Sequence, residues 1–340
     1  MHRSKRIQTL TTLLKIVLAT GILTYLVMRL ESQSGFTRLR YGTKHWGLLL
    51  GAAGLVTIGF SLSFVRWYLL VRALKLDFHL RDALRLGSLG YLLNFISPGS
   101  VGGDLFKAVF LAREQPEQKT AAVASIIIDR AVGLYAMLLV ACFGIYLAEG
   151  GLSQNMALRT IASLIRFAAL LGTVSVVSLM FPGTTGKRVQ KLFARLPLVG
   201  ETCVHLIQAA SAYRHHRRIL FSAIAIAIVT HCLLVSAFWA IERGLPVQAA
   251  TFRQNLVLVP TSLLAGVIPA TPSGLGTMEA AVELLYRATG ASAGDGTMVA
   301  LAYRVATLVM ASVGAIYYLT ARKRVGELIH QADALADELG

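Results

Sequence analysis

The chain has 340 residues, of which 55% are hydrophobic and only 15% charged, with a mean hydropathy of +0.63 and a formal net charge of +16. A soluble globular chain carries about 25% charged residues, so this one lacks the polar surface needed to face water and reads as a single membrane unit over 1–340. Its Lys and Arg residues lie between apolar runs, which assigns the positive charge to an anionic membrane surface and not to nucleic acid.

The N-terminus, MHRSKRIQTL, is basic and precedes an apolar run. No small-residue cleavage pattern follows, so the run is expected to stay as a first span. A full helical crossing needs about 20 apolar residues. Six stretches meet that need: roughly 11–29, 46–70, 121–148, 159–181, 218–241 and 297–320. Two others, roughly 83–112 and 254–288, are apolar but interrupted by Ser97-Pro98-Gly99-Ser100-Val101-Gly102-Gly103 and by Thr271-Pro272-Ser273-Gly274-Leu275-Gly276. Proline and clustered glycine break a regular helix. Each stretch is therefore expected to be a helix, an unwound loop and a second helix. Cys142, Cys203 and Cys232 have neither metal-ligand nor disulfide spacing and read as small hydrophobes.

The two broken stretches carry the same rare residues in register. Pro98 and Pro272 are 174 positions apart, and Gly102 and Gly276, and Arg130 and Arg304, share that offset. An internal duplication accounts for this. The first half runs about 11–148, and the second takes 159–181 plus 218–320. Lys187, Arg188, Lys191 and Arg195 on one face of 187–196, with Val189, Leu192, Phe193 and Leu196 on the other, mark an interfacial helix in the linker 183–217. Residues 321–340 form a tail.

The distribution of Lys and Arg orients the chain. If both broken stretches dip in and return, the basic loop 182–217 and the basic tail fall on the cytoplasmic side with the N-terminus, and the loops near 149–158 and 289–296, almost free of basic residues, fall outside. If both cross fully, the most basic loop falls outside. Re-entrance is the better reading, with Arg38, Arg40 and Lys44 as the exception on the outer side. Each half then has three crossings and one re-entrant pair. Three is odd, so the halves are inverted. The expected fold is all-α: six transmembrane helices, two broken re-entrant pairs and an inverted internal repeat in the inner membrane, with both termini cytoplasmic.

Unwound backbone at membrane depth is tolerated only where protein buries it or a wet cavity meets it. The loops expose helix N-termini near Gly103-Asp104 and Thr277-Met278, where free N–H groups favour an anion. Tight turns between packed helices are the alternative. Arg130 and Arg304 are costly at this depth, at least about 2.5–3.5 kcal/mol each. They either clamp a phosphate or pair with carboxylates, Arg130 with Asp104 and Arg304 with Glu279 or Glu283. Asp129 adjoins Arg130 but lies about 100° around the helix from it. Lys107 shares a face with Asp104, and meets a headgroup or snorkels. Glu279 and Glu283 pair with Arg304, or receive a cation or proton. His231 reads as a hydrogen-bonded core histidine in preference to a proton relay, and Arg166 faces the cavity or snorkels. The candidate set is Pro98, Gly99, Gly102, Gly103, Asp104, Lys107, Asp129, Arg130, Pro272, Gly274, Gly276, Glu279, Glu283 and Arg304. No catalytic motif, metal cluster or cofactor signature is present in the sequence.

The runs SPGSVGGDLFKAVFLARE and AAVASIIIDRAVGL, with TPSGLGTMEAAVELL and ALAYRVATLV, resemble the transmembrane domain of lysylphosphatidylglycerol synthases/flippases over about residues 10–322. The resemblance implies a flippase-like domain that moves a lipid with a phosphate-containing headgroup, working beside a lipid-modifying enzyme. It does not imply lysyl transfer, since no synthase domain is expected in the 20 or so residues after the last span. Relatives linked to polyprenyl-phosphate sugar pathways supply the alternative: a membrane-embedded enzyme or accessory subunit of sugar transfer.

Overall fold

The computed structural model describes residues 35–96, 102–147, 156–178, 208–267, 271 and 274–320, with scattered residues between 20 and 31. Every regular element among them is helical: α1 (Gly35–Tyr41), α2 (Trp46–Ala73), α3 (Leu80–Ile96), α4 (Gly102–Glu114), α5 (Lys119–Leu147, after a 3-10 turn at Pro116–Gln118), α6 (Met156–Ser178), α7 (Arg217–Gly244), α8 (Phe252–Val267), α9 (Thr277–Ala288) and α10 (Asp295–Thr320). Five stretches are long and apolar enough to cross a membrane: Trp46–Ala73, Pro116–Leu147, Leu158–Val177, Arg217–Gly244 and Asp295–Leu319. They match five of the six expected crossings. The expected span at 11–29, the interfacial helix at 187–196 and the tail lie mostly or wholly outside the described residues, as do Pro98, Gly99 and Pro272.

Both broken stretches are two helices, as their sequence requires. At the second break Gly274 and Gly276 have φ of 64° and 85°, the left-handed region where a side chain is strained. The chain turns there and α9 starts at Thr277. By contrast Pro260 lies inside α8 without ending it.

The antiparallel pair α2 and α7 forms the centre. At one end His45 N donates to Gly244 O at 3.0 Å, and at the other the buried Tyr213 hydroxyl donates to Leu70 O at 2.9 Å. Several further contacts come in corresponding sets. α3 packs on α10 and α8 on α5; α4 lies against α3 and α5, as α9 does against α8 and α10. Glycines mark the contacts that join the halves. A Cβ at Gly144 of α5 falls 2.6 Å from Leu256 of α8, and one at Gly314 of α10 collides with the Ser88 carbonyl of α3. Small residues at such crossings let helix backbones approach where no water drives association. Outward-facing Leu164, Phe167, Leu170, Leu171, Val174 and Val177 dominate the free side of α6, as lipid contact demands, with exposed Arg166 among them.

The far ends of each broken stretch meet. Gln115 Nε2, after α4, donates to Asp77 O, before α3, at 3.1 Å. In the second half Ala250 N, before α8, and Tyr286 Oη, near the end of α9, both donate to the carboxylate of Glu242. Arg38, one of the three basic residues that the expected topology leaves on the outer side, pairs with buried Asp295 at 2.7 Å.

Candidate functional site

The first polar centre is built on the opening turn of α4. Gly103 packs so closely on α3 that a Cβ there collides with the Gly90 carbonyl oxygen. Its N–H donates to Asn94 Oδ1 at 2.9 Å, which occupies one of the free donors of the helix N-terminus. Asp104 points toward α5 and forms an ion pair with Arg130 through Nε. Lys107, one turn on, brings Nζ to 3.5 Å from Asp104 Oδ1 and lies 5.2 Å from the centre of the Trp67 ring. One carboxylate thus sits between two cations. The Arg130 side chain remains 51% exposed, against 18% for Asp104 and 14% for Lys107.

The second centre has the same parts in a tighter setting. Glu279 reaches back from the first turn of α9 to accept from Gly276 N at 2.8 Å, and takes Arg304 Nε at 2.5 Å on its other oxygen. Arg304 also donates through Nη2 to Gly274 O at 3.1 Å, so it clips the loop closed. Its side chain is 16% exposed and that of Glu279 1%. Glu283 does not join this pair. It turns to the start of α10, where Gly294 N donates to one oxygen at 2.9 Å and Thr297 N and Oγ1 donate to the other at 3.0 and 3.1 Å. Glu283 therefore caps a helix whose first N–H groups need acceptors.

Both arginines thus adopt the carboxylate pairing that the sequence offered, Arg130 with Asp104 and Arg304 with Glu279. Asp129 turns away from Arg130, as its place on the helix requires, and accepts a fork from Arg66: Nε to Oδ1 at 2.7 Å and Nη2 to Oδ2 at 3.0 Å. Such a bidentate pair is among the strongest side-chain contacts. Arg66 was legible only as a charge four residues from the end of the expected 46–70 span, where a snorkelling side chain is ordinary. The helix in fact runs on to Ala73 and Arg66 is buried. His231 Nε2 donates to Gly133 O at 3.0 Å, while its buried Nδ1 has no partner among the described residues. Arg166 is exposed on α6.

The sequence also did not single out a buried cluster at the turn between α7 and α8. There Glu242 accepts from Ala250 N at 3.0 Å, Asn255 Nδ2 at 3.0 Å and the Tyr286 hydroxyl. Nor did it single out Tyr91, which bonds Thr307 and packs on Phe60 with ring centres 4.6 Å apart. Among the described residues no group of three or more His, Cys, Asp and Glu side chains is placed to hold a metal.

Five long apolar helices, two broken helix pairs and ion pairs between them define a multi-pass helical membrane protein. The sequence-family model described as the lysylphosphatidylglycerol synthase TM region matches residues 12–314, and the chain belongs to that family. Membership ties it to the membrane and to a lipid-related role. No curated protein and no solved structure matches the chain.

Proposed function

We propose that the protein is a lipid translocase that moves an anionic phospholipid or a polyprenyl-phosphate-linked lipid between the leaflets of the inner membrane. Two arginine–carboxylate pairs at matching places beside two broken helices carry this reading. Charge buried in a membrane bundle is expensive, and where it occurs it commonly marks a polar path. The headgroup passes this polar centre while the acyl or prenyl chains stay in lipid.

The proposed topology has six crossings and two re-entrant pairs, with both termini cytoplasmic. Re-entrance is supported by the contacts that bring together the ends of each broken stretch, Gln115 with Asp77 and Glu242 with Ala250 and Tyr286. The antiparallel run of α2 against α7, each the long helix that precedes a broken stretch, supports inversion. Inverted repeats around a midplane site suit alternating access, in which one half moves against the other. The sugar-transfer alternative would use Glu279 and Glu283 as a carboxylate pair, but their oxygens are committed to different partners.

The test is a headgroup-accessibility assay in vesicles reconstituted with the purified full chain. Labelled anionic lipid in the inner leaflet is expected to become reachable by an external quencher faster than in protein-free vesicles. Equal rates across a panel of anionic phospholipids and prenyl phosphosugars would sink the proposal.

A further inference from the structure

We infer that the headgroup site is one-sided: Arg130 and Lys107 receive a phosphate diester in the first half, and Arg304 is a structural pin that does not touch it. The inference takes the presence of a lipid phosphate from the translocase reading, but it separates two arginines that the sequence presents as equals.

Three observations support it. The first is access. Arg130 spends Nε on Asp104 and is half exposed, which leaves most of its five N–H donors for an incoming anion. Arg304 is engaged on two sides, by Glu279 and by Gly274 O, and is largely buried. The second is charge. Arg304 and Glu279 cancel, whereas Arg130 and Lys107 around the single Asp104 leave one positive charge uncompensated. The third is a spare donor. Trp67, on whose ring the Lys107 ammonium rests, is buried and its Nε1 has no hydrogen-bond partner among the described residues. A buried polar group without a partner is costly and commonly points to a missing one.

The charge also selects the chemistry. A phosphate diester carries a single negative charge and neutralises the cluster. A phosphate monoester has a second ionisation near pH 6 and carries close to two charges at pH 8, which leaves the cluster net negative beside the largely buried Asp104 carboxylate. The shared ligand chemistry is therefore the diester, whether in a glycerophospholipid or in a prenyl phosphosugar.

The test uses the full chain in an uncharged maltoside detergent, with Trp46→Phe and Trp239→Phe so that Trp67 alone of the three tryptophans reports. Its emission is titrated at pH 8 with short-chain phosphatidylglycerol, a short prenyl phosphosugar, and short-chain phosphatidic acid. At least one diester is expected to saturate the signal, with the monoester at least tenfold weaker. Arg130→Gln and Lys107→Gln are each expected to weaken diester binding tenfold or more. The paired change Arg304→Gln with Glu279→Gln is expected to leave it within twofold, and Arg304→Lys, which keeps the ion pair, serves if the double variant does not fold. A tenfold loss in either Arg304 variant with an unchanged unfolding midpoint overturns the assignment, as does tighter binding of the monoester or no binding of any diester. Diester binding that depends on Arg130 without lipid movement in vesicles refutes the translocase reading and leaves the assignment standing. Lipid movement with equal dependence on both arginines does the reverse.

Discussion

Each broken stretch sets a carboxylate in the opening turn of its second helix beside an arginine of the next long helix, yet the surroundings of the pairs differ. In the second half the pair is enclosed: Glu279 holds Gly276 N as well as Arg304, and Glu242, Glu283 and Asp295, elsewhere in the same half, are likewise buried with backbone N–H groups as partners. In the first half Asp104 has two cations, and one of them faces outward. The pairs therefore differ in what they hold. The second ties together loop, helix start and neighbouring helix, and the first tethers two side chains and leaves one of them accessible. A signal that recurs in the sequence does not guarantee a recurring role once its two surroundings are packed differently.

The sharpest way to break this contrast is to remove the carboxylates. Glu279→Ala leaves a buried guanidinium and a buried Gly276 N–H without their acceptor, a loss of about 3–5 kcal/mol by the measure of broken buried pairs. Asp104→Ala strands an arginine that already meets the outside, so the expected loss is about 1 kcal/mol, near that of exposed pairs. Thermal unfolding in detergent measures both. Equal losses would make the first pair a structural pin as well.

The next largest effect tests the ion pair that the first half does bury. Arg66→Met leaves Asp129 without its fork, and about 3 kcal/mol is expected to be lost. Adding Asp129→Leu removes the stranded charge and should recover most of that loss, because a buried pair replaced by apolar groups is often neutral. A double variant as unstable as the single one would show that the pair is not a self-contained unit. Gly103→Ala comes third. Its Cβ meets the Gly90 carbonyl, so α3 and α4 must part, at about 1–3 kcal/mol. Cysteine cross-linking between α3 and α4 checks that the helices separate.

Much of the architecture is legible because membranes restrict the choices. The long apolar runs 46–70, 121–148, 159–181, 218–241 and 297–320 could only be helices, and each differs from its observed helix by a few residues at the ends. Pro-Gly clusters announced both breaks, and depth alone announced Arg130 and Arg304. What stayed hidden depends on rotation about helix axes and on contacts between distant segments. Arg66 was hidden because a terminal arginine and a buried one look alike until the helix end is known. Glu283 seemed to belong with Glu279 because four residues share a helical face, but the start of α10 lies close enough to claim it. Glu242 could not be tied to Tyr286, 44 residues away, from sequence spacing.

The smallest expected effect is the control that gives the others their meaning. Gly51 lies in the interior of α2, and a Cβ there meets no atom within 4 Å. Gly51→Ala therefore removes no packing and adds no clash. Its expected change is within about 0.5 kcal/mol, the ordinary range for substitutions away from special features, with a slight gain where alanine favours the helix. Gly103 lies instead in the opening turn of α4, against the Gly90 carbonyl. If Gly51→Ala lowers the unfolding midpoint as much as Gly103→Ala, the loss at Gly103 reflects the general intolerance of these helices to change, and the close approach of α3 and α4 beneath the Asp104 cluster is not what holds the first half together. A flat response at Gly51 beside a clear loss at Gly103 locates that constraint at the break itself.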